Sequence, residues 1–169
     1  MRLSILTFCM LISFNTYGFD FKGIKIGAPA TAEQVQEKLG VECGAGSNAT
    51  QVCNGTVTIA KEQARMNLLI NSSGVVQRIQ LALSPESFDI IEPLLIEKFG
   101  PPTKTSHSVI QNRMGAKFNQ VSHWWSGEGG IEVIYAKYSG TLDNSSLYFS
   151  TKEDRELLGK SKADRAGDM

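Results

Sequence analysis

The sequence predicts an α+β protein in which a largely antiparallel sheet is backed by two short helices. Two segments, 31–40 and 85–100, space their apolar residues as amphipathic helices do and end at a glycine. Several shorter segments alternate apolar and polar residues, as strands do. The link at 71–74, Asn-Ser-Ser-Gly, favours a tight turn and so joins two of these strands as a hairpin.

The first 18 residues have the three parts of a cleavable secretory signal peptide. Arg2 supplies a positive charge, residues 3–14 are mostly apolar, and Thr16 and Gly18 are small residues at the −3 and −1 positions of a cleavage site. The apolar stretch is shorter than the roughly 20 residues that span a bilayer. Cys9 lies inside that stretch, without the small residues that precede a lipid-attachment cysteine, and is interpreted as part of the signal. We therefore expect a periplasmic or secreted protein with no stable membrane insertion.

Residues 19–151 are predicted to form one domain, of a common size for a chain with its own core. The chain has 17 basic and 17 acidic residues, and loss of the signal would remove only Arg2, leaving a net charge of about −1. Because no strongly basic field is present, nucleic acid is not an expected partner.

The elements of the first half begin with a short edge strand at 21–27. A helix follows at 31–40, with a capping Thr, an acid in its first turn and a terminal Gly. Strands are then expected at 56–60, 66–70 and 75–83.

The second half repeats the order of helix and strands. Ser84-Pro85-Glu86 begins a helix that Gly100 ends. Pro93 lies inside it and is expected either to kink the helix or to mark a later start. Strands are predicted at about 105–111, 118–125, 131–138 and 146–150. Residues 152–169 are predicted to be a flexible charged tail, a frayed helix followed by disorder.

The two predicted helices end alike, in Glu-Lys-Leu-Gly at 37–40 and Glu-Lys-Phe-Gly at 97–100. A tandem repeat of a helix plus a hairpin, with units 22–83 and 84–151, would explain this similarity. Two unrelated helices that both end at glycine would explain it equally well.

Part of this pattern resembles a known family. Gly27 before a short helix that ends in Leu39-Gly40, followed by paired strands containing the run 73–79, Ser-Gly-Val-Val-Gln-Arg-Ile, resembles the BamE/SmpA family of small envelope proteins. The duplicated arrangement with a short-loop disulfide is similar to the β-lactamase-inhibitor-protein fold. The resemblance implies the fold first, and a non-enzymatic protein-binding role second. The lipid-anchor motif usual in the BamE family is missing here.

Two cysteines remain after the signal, Cys43 and Cys53, ten positions apart. In an exported protein such a pair predicts a disulfide. A metal site is the alternative for any cysteine pair, but the two histidines, His107 and His123, lie far along the chain.

No motif predicts catalysis, a cofactor or a metal. The sequence has no Gly-x-Ser-x-Gly elbow, no His-Glu-x-x-His and no phosphate-binding glycine loop. His107 is expected to face solvent, and His123 to lie on the strand face opposite Trp124. The run Asp143-Asn144-Ser145 lacks the repeated oxygen ligands of a calcium loop and predicts a turn.

The candidate binding residues are aromatic and lie on the last three predicted strands. They are Trp124, Trp125, Tyr135, Tyr138 and Tyr148, with Phe149 adjacent. Adjacent strand residues point to opposite faces, so one tryptophan is expected in the core and the other on an open face. If a helix or a second sheet covers that face, both rings are structural.

These observations favour an exported, non-enzymatic protein that binds another envelope protein, as an inhibitor, an immunity protein or an assembly accessory. Peptidoglycan or glycan binding through the tryptophans is the alternative. A hydrolase of unrecognised type is the third hypothesis.

Overall fold

The computed structural model describes residues 18–167, which form an α+β fold. An eight-stranded sheet in which every neighbouring pair of strands is antiparallel carries helices on its surface, and a separate two-stranded hairpin completes the fold. The predicted fold class is thus confirmed. Apart from Gly18, the predicted signal peptide at 1–18 lies outside the described residues.

Each half of the chain contains a helix followed by four strands of the large sheet. The strands are β1 Asp20–Phe21, β2 Ile24–Lys25, β3 Glu42–Ala45, β4 Gln51–Ile59, β5 Glu62–Ile70, β6 Val76–Leu83, β7 Lys104–Gln111, β8 Lys117–Ser126, β9 Glu132–Ala136 and β10 Ser145–Ser150. The helices are α1 Ala32–Leu39, α2 Phe88–Phe99 and α3 Lys152–Gly167.

The strand order of the large sheet is β3-β4-β5-β6-β10-β9-β8-β7. Each half of the chain supplies a four-stranded meander, and the last strand of each meander, β6 or β10, lies at the centre. There the two strands pair antiparallel, with Ile79 opposite Phe149. A duplicated helix-plus-meander unit would give this order, and the repeat boundaries 22–83 and 84–151 remain a prediction.

Helix α1 has both ends that the sequence predicts. The Thr31 hydroxyl accepts a hydrogen bond from the Gln34 amide, and the Gln34 side chain accepts one from the Thr31 amide. Gly40 ends the helix in the left-handed conformation, which glycine adopts without steric cost. Val35 and Leu39, four positions apart, are buried.

Helix α2 begins at Phe88, because residues Pro85–Ser87 form a separate 3-10 turn before it. The helix includes Pro93, which lies on its exposed side. Its buried side chains are Phe88, Ile91 and Leu95.

The core lies on one face of the sheet, beneath α1, α2 and the β1–β2 hairpin. Side chains in register across six strands line this face: Cys53, Leu68, Ile79, Phe149, Val133 and Trp125. Phe99 of α2 contacts both Phe149 and Trp125, and Val35 and Leu39 of α1 belong to the same core.

The two matching Glu-Lys segments hold the N-terminal hairpin from both sides. Lys38 Nζ donates to the carbonyl of Gly23, 3.2 Å away, and Lys98 Nζ donates to the carbonyl and the carboxylate of Asp20, at 3.0 and 3.1 Å. Phe19, which would follow the predicted cleavage site, is buried and packs edge-on against Phe99.

The segment predicted as a flexible tail, 152–169, forms α3 as far as Gly167. Its first turn is attached to the sheet, because Asp154 is 2 % exposed and binds Arg78. The side chains of residues 156–160 are exposed, so α3 leaves the sheet after that turn.

Candidate functional site

The face of the large sheet opposite the core, here called the open face, carries a row of large side chains. Neighbours in register on this face, from β7 to β5, are Lys104, Trp124, Ile134, Tyr148, Gln80 and Asn67. Trp124, Ile134 and Tyr148 are half-buried and adjacent, so the three form a continuous apolar ridge across β8, β9 and β10.

A row of small side chains lies beside this ridge. This row is two residues along each strand from the ridge, a distance of about 7 Å. Its side chains, in register with one another, are Ser106, Ser122, Ala136, Ser146 and Ala82. Because these side chains are smaller than the Trp124 ring, the row forms the floor of a shallow groove, although Ser122 is itself buried and accepts a hydrogen bond from Gln120 Nε2 at 3.2 Å.

The far side of the groove is formed by Phe118 and Tyr138. Their rings meet edge to face with centroids 6.0 Å apart. Gln120 fixes the position of Tyr138, since its amide group donates to the Tyr138 carbonyl and accepts from the Tyr138 amide at 2.8 and 2.9 Å. Phe118 belongs to the open face by strand alternation, and its ring contact places Tyr138 on the same face.

Helix α3 bounds the open face on the other side of the ridge. Arg155 contacts Glu132 at 3.3 Å and the Ser150 carbonyl at 3.1 Å. Glu132, Ser150 and Arg78 are in register with one another and form the row next to the ridge, on the side away from the groove. Because α3 is exposed from residue 156, it covers this row and leaves the ridge and the groove uncovered within the described residues.

The structure divides the five predicted binding aromatics between the two faces. Trp124, Tyr138 and Tyr148 lie on the open face. Trp125 is 1 % exposed, and its indole Nε1 donates to the Gly100 carbonyl at 2.8 Å. Tyr135 is fully buried, stacks on Phe88 with centroids 4.6 Å apart and donates to the Ser87 carbonyl. Trp125 and Tyr135, two of the predicted binding residues, are therefore buried beneath α2 and do not lie on the open face.

The open face carries two cations, Lys104 and Arg65, that have no acidic partner among the described residues, and one exposed acid, Glu42, at the β3 end of the ridge row. Arg78 and Glu132 are each neutralised by α3, through Asp154 and Arg155. Lys104 Nζ lies 5.0 Å above the centre of the Trp124 ring, a cation–π contact. Arg65, exposed on β5 beside the floor, donates to the side chain of Asn144.

A hydrogen-bonded set around His123 is the nearest approach to a catalytic arrangement. The His123 Nδ1 lies 2.9 Å from the Thr105 hydroxyl, within hydrogen-bonding distance. The His123 Nε2 lies 2.6 Å from a carboxylate oxygen of Glu92, but this contact does not have the geometry of a hydrogen bond. His123 is 6 % exposed and stacks on Phe88. As the sequence predicts, it points away from Trp124. The set joins α2 to the sheet, and Thr105 stands on β7, the edge strand of the sheet.

The predicted disulfide is present. Cys43 and Cys53 are directly opposite on β3 and β4 and are bonded to each other. Residues 143–145 lie in the turn before β10 and at its first residue, as expected. In the described part of the chain, no three potential metal ligands come together. No described helix has the length and apolar character needed to cross a membrane.

No protein-family model, curated protein or solved structure matches this chain.

The row of small residues and the position of α3 are the features of the site that the sequence did not indicate. Ser122, Ala136 and Ser146 are each two residues from a member of the ridge, so strand alternation places them on the same face. What the sequence lacks is the register that brings them side by side.

Proposed function

We propose that the protein is an exported, non-enzymatic binding protein whose open face takes up a segment of another protein. The single observation behind this proposal is the uncovered ridge of Trp124, Ile134 and Tyr148 beside a floor of small side chains. Contiguous apolar surface that stays exposed in a folded protein commonly marks a binding site.

The groove suits a partner that inserts one or two bulky side chains. Ala136 and Ser146 leave room above the sheet, and Trp124 and Tyr138 stand on the two sides. Tryptophan and tyrosine are the residue types most enriched among interface residues that carry large shares of binding energy. The pairing of β8 with β9 and the Gln120–Tyr138 hydrogen bonds hold these rings in place before binding, which reduces the entropy lost on association.

The uncompensated cations favour an acidic partner surface. Lys104 stands at one end of the ridge, and Arg65 stands beyond the floor at the other end. Complementary charge speeds encounter and selects among partners more than it adds affinity. The resemblance to small envelope proteins and to the β-lactamase-inhibitor-protein fold implies the same functional class.

Glycan binding is the second candidate. The ridge continues into Gln80 and Asn67, and an aromatic surface bordered by side-chain amides suits a sugar. Against it, the Lys104 ammonium lies over the Trp124 ring, on the surface where a sugar would stack.

A capture experiment tests the proposal. The immobilised protein is exposed to envelope extract, the bound protein is identified and purified, and its affinity is measured for wild type, Trp124→Ala and Leu94→Ala. Leu94 is exposed on α2, on the opposite side of the molecule, and serves as the matched control. We expect Trp124→Ala to lose about 2 kcal/mol or more, about 30-fold in affinity, and Leu94→Ala to change little.

Equal affinities of wild type and Trp124→Ala would place the binding site elsewhere. The same variants are applied to a peptidoglycan and glycan panel. Capture of a glycan, with loss of capture in Trp124→Ala, would establish the second candidate instead.

A further inference from the structure

The strand β7 forms one edge of the large sheet, and its exposed backbone is unusually accessible for pairing. The other edge strand, β3, has four residues and is bound to β4 by the disulfide. β7 has eight residues, contains no proline, and carries a charge only at Lys104, its first residue. Natural proteins usually blunt such an edge with charge, proline or short length.

The hydrogen-bond pattern tells which backbone groups of β7 are free. The Asn112 amide donates to the Ala116 carbonyl, and residues 104–111 continue this register with β8. In an antiparallel ladder hydrogen-bonded pairs alternate, so the even-numbered residues of β7 bond to β8. The amides and carbonyls of Thr105, His107, Val109 and Gln111 therefore point outward from the sheet.

These outward residues can pair with themselves in a second copy. An antiparallel twofold pairing centred on Ser108 places Thr105 opposite Gln111, and His107 opposite Val109. Every outward-pointing residue then meets an outward-pointing residue of the copy, as a ladder requires. If the twofold axis lay half a residue away, each outward-pointing residue would face a residue of the copy whose backbone groups are already bonded to β8.

Side chains and charge are compatible with the same register. At the twofold axis Ser108 faces Ser108, a small pair on the open face. Lys104 lies opposite Asn112 of the copy, so the Lys104 cations of the two copies are kept apart. Val109, 61 % exposed in the single chain, would pack beside His107 of the copy.

We propose that two copies of this chain associate through β7 in the register centred on Ser108, joining their sheets into one of sixteen strands. The occupant of the edge is a second copy because the neutral run 105–111 is complementary to itself under twofold rotation. This proposal does not depend on ligand binding at the open face.

The first test is the molar mass of the full exported chain, by light scattering and sedimentation over micromolar to millimolar concentrations. A dimer is expected, and a monomer throughout this range would overturn the proposal. Val109→Lys sets two cations near the axis, one from each copy, and should raise the dimer dissociation constant by about tenfold or more. Met114→Lys, at a 91 % exposed position in the turn after β7, is the matched control and should leave it unchanged.

The register is tested by single cysteines under mild oxidation. Ser108→Cys should form a covalent dimer, because residues opposite one another in a non-hydrogen-bonded pair have Cα atoms about 4.5 Å apart. Ser106→Cys, on the same face, faces Ile110 of the copy and should not cross-link to itself. Equal cross-linking of both variants, or a dimer that Val109→Lys leaves as tight as before, would show that another surface is used.

Discussion

The guanidinium of Arg78 holds the buried carboxylate of Asp154 through two of its nitrogen atoms. Arg78 Nη2 lies 2.7 Å from Oδ1, and Nε lies 3.1 Å from Oδ2. The Tyr148 hydroxyl donates to the same Oδ2 at 2.9 Å, so one carboxylate joins α3 to both central strands of the sheet. The first turn of α3 thus behaves as part of the fold, and its position sets the boundary of the open face.

Replacing Asp154 with Ala should lower the free energy of unfolding by about 2 to 4 kcal/mol, because a partly buried Arg78 and the Tyr148 hydroxyl lose their partner. Urea denaturation measures the effect. Glu156→Ala is the control, since the Glu156–Lys152 pair is exposed and should contribute less than about 0.5 kcal/mol. Equal losses in the two variants would contradict the assigned role of Asp154.

The adjacent tryptophans should respond oppositely to truncation. Trp125→Ala should lower the free energy of unfolding by about 3 to 5 kcal/mol, because it leaves a cavity beneath α2 and an unpaired Gly100 carbonyl. Trp124→Ala should cost about 1 kcal/mol or less, since its ring is half-buried and contacts Lys104 on the surface. Chemical denaturation of both variants compares them, and a larger loss for Trp124 would mean that the open face is covered.

The disulfide should withstand alkylation and contribute to stability. Mass measurement of the unreduced, alkylated protein should find neither Cys43 nor Cys53 labelled. Replacing both with Ser should lower the free energy of unfolding by about 3 kcal/mol, because the unfolded chain regains the entropy of a ten-residue loop. Labelling of both thiols would contradict the bond.

Stability should fall at alkaline pH, partly through Tyr148. Burial, together with the hydrogen bond to Asp154, raises the pKa of its hydroxyl above the usual value. The unfolded chain therefore releases this proton first, at about pH 10, while the folded protein keeps it. The contribution is present in full below that pH and is lost as the pH rises toward the folded-state pKa.

Urea denaturation at a series of pH values from neutral to about 11 tests this linkage. Tyr148→Phe should show a shallower alkaline decline than wild type, although some decline remains because burial also raises the pKa of Tyr135. Identical slopes for the two proteins would exclude a contribution from Tyr148.

The sequence predicts individual helices and strands better than it predicts which of them pack or pair with one another. Thr31, Gln34 and Gly40 define α1 through local hydrogen bonds and backbone conformation, so a single-chain pattern contains the information. The pairing of β6 with β10 depends on residues 62 or more positions apart, and no local pattern encodes that choice.

The candidate site illustrates the same limit. Alternation separates Trp124 from Trp125 but leaves open which of them is exposed, because α2 and α3 decide it by covering different faces. The segment 152–169 has charged residues without apolar periodicity, which is typical of a tail. What attaches α3 is the buried carboxylate of Asp154, with partners on β6 and β10, together with Arg155, which contacts β9 and β10. Helical spacing does not reveal these tertiary interactions.

The central position of β10 has a consequence for the order in which the fold can form. When a chain emerges from a ribosome or a membrane channel with its N-terminus first, β3 to β6 can assemble early, but β6 then remains an open edge. Its neighbour in the folded sheet, β10, is completed only at residue 150, which lies 67 residues after the end of β6. During that interval the nascent protein exposes an unpaired apolar strand edge, the kind of surface through which folding intermediates aggregate.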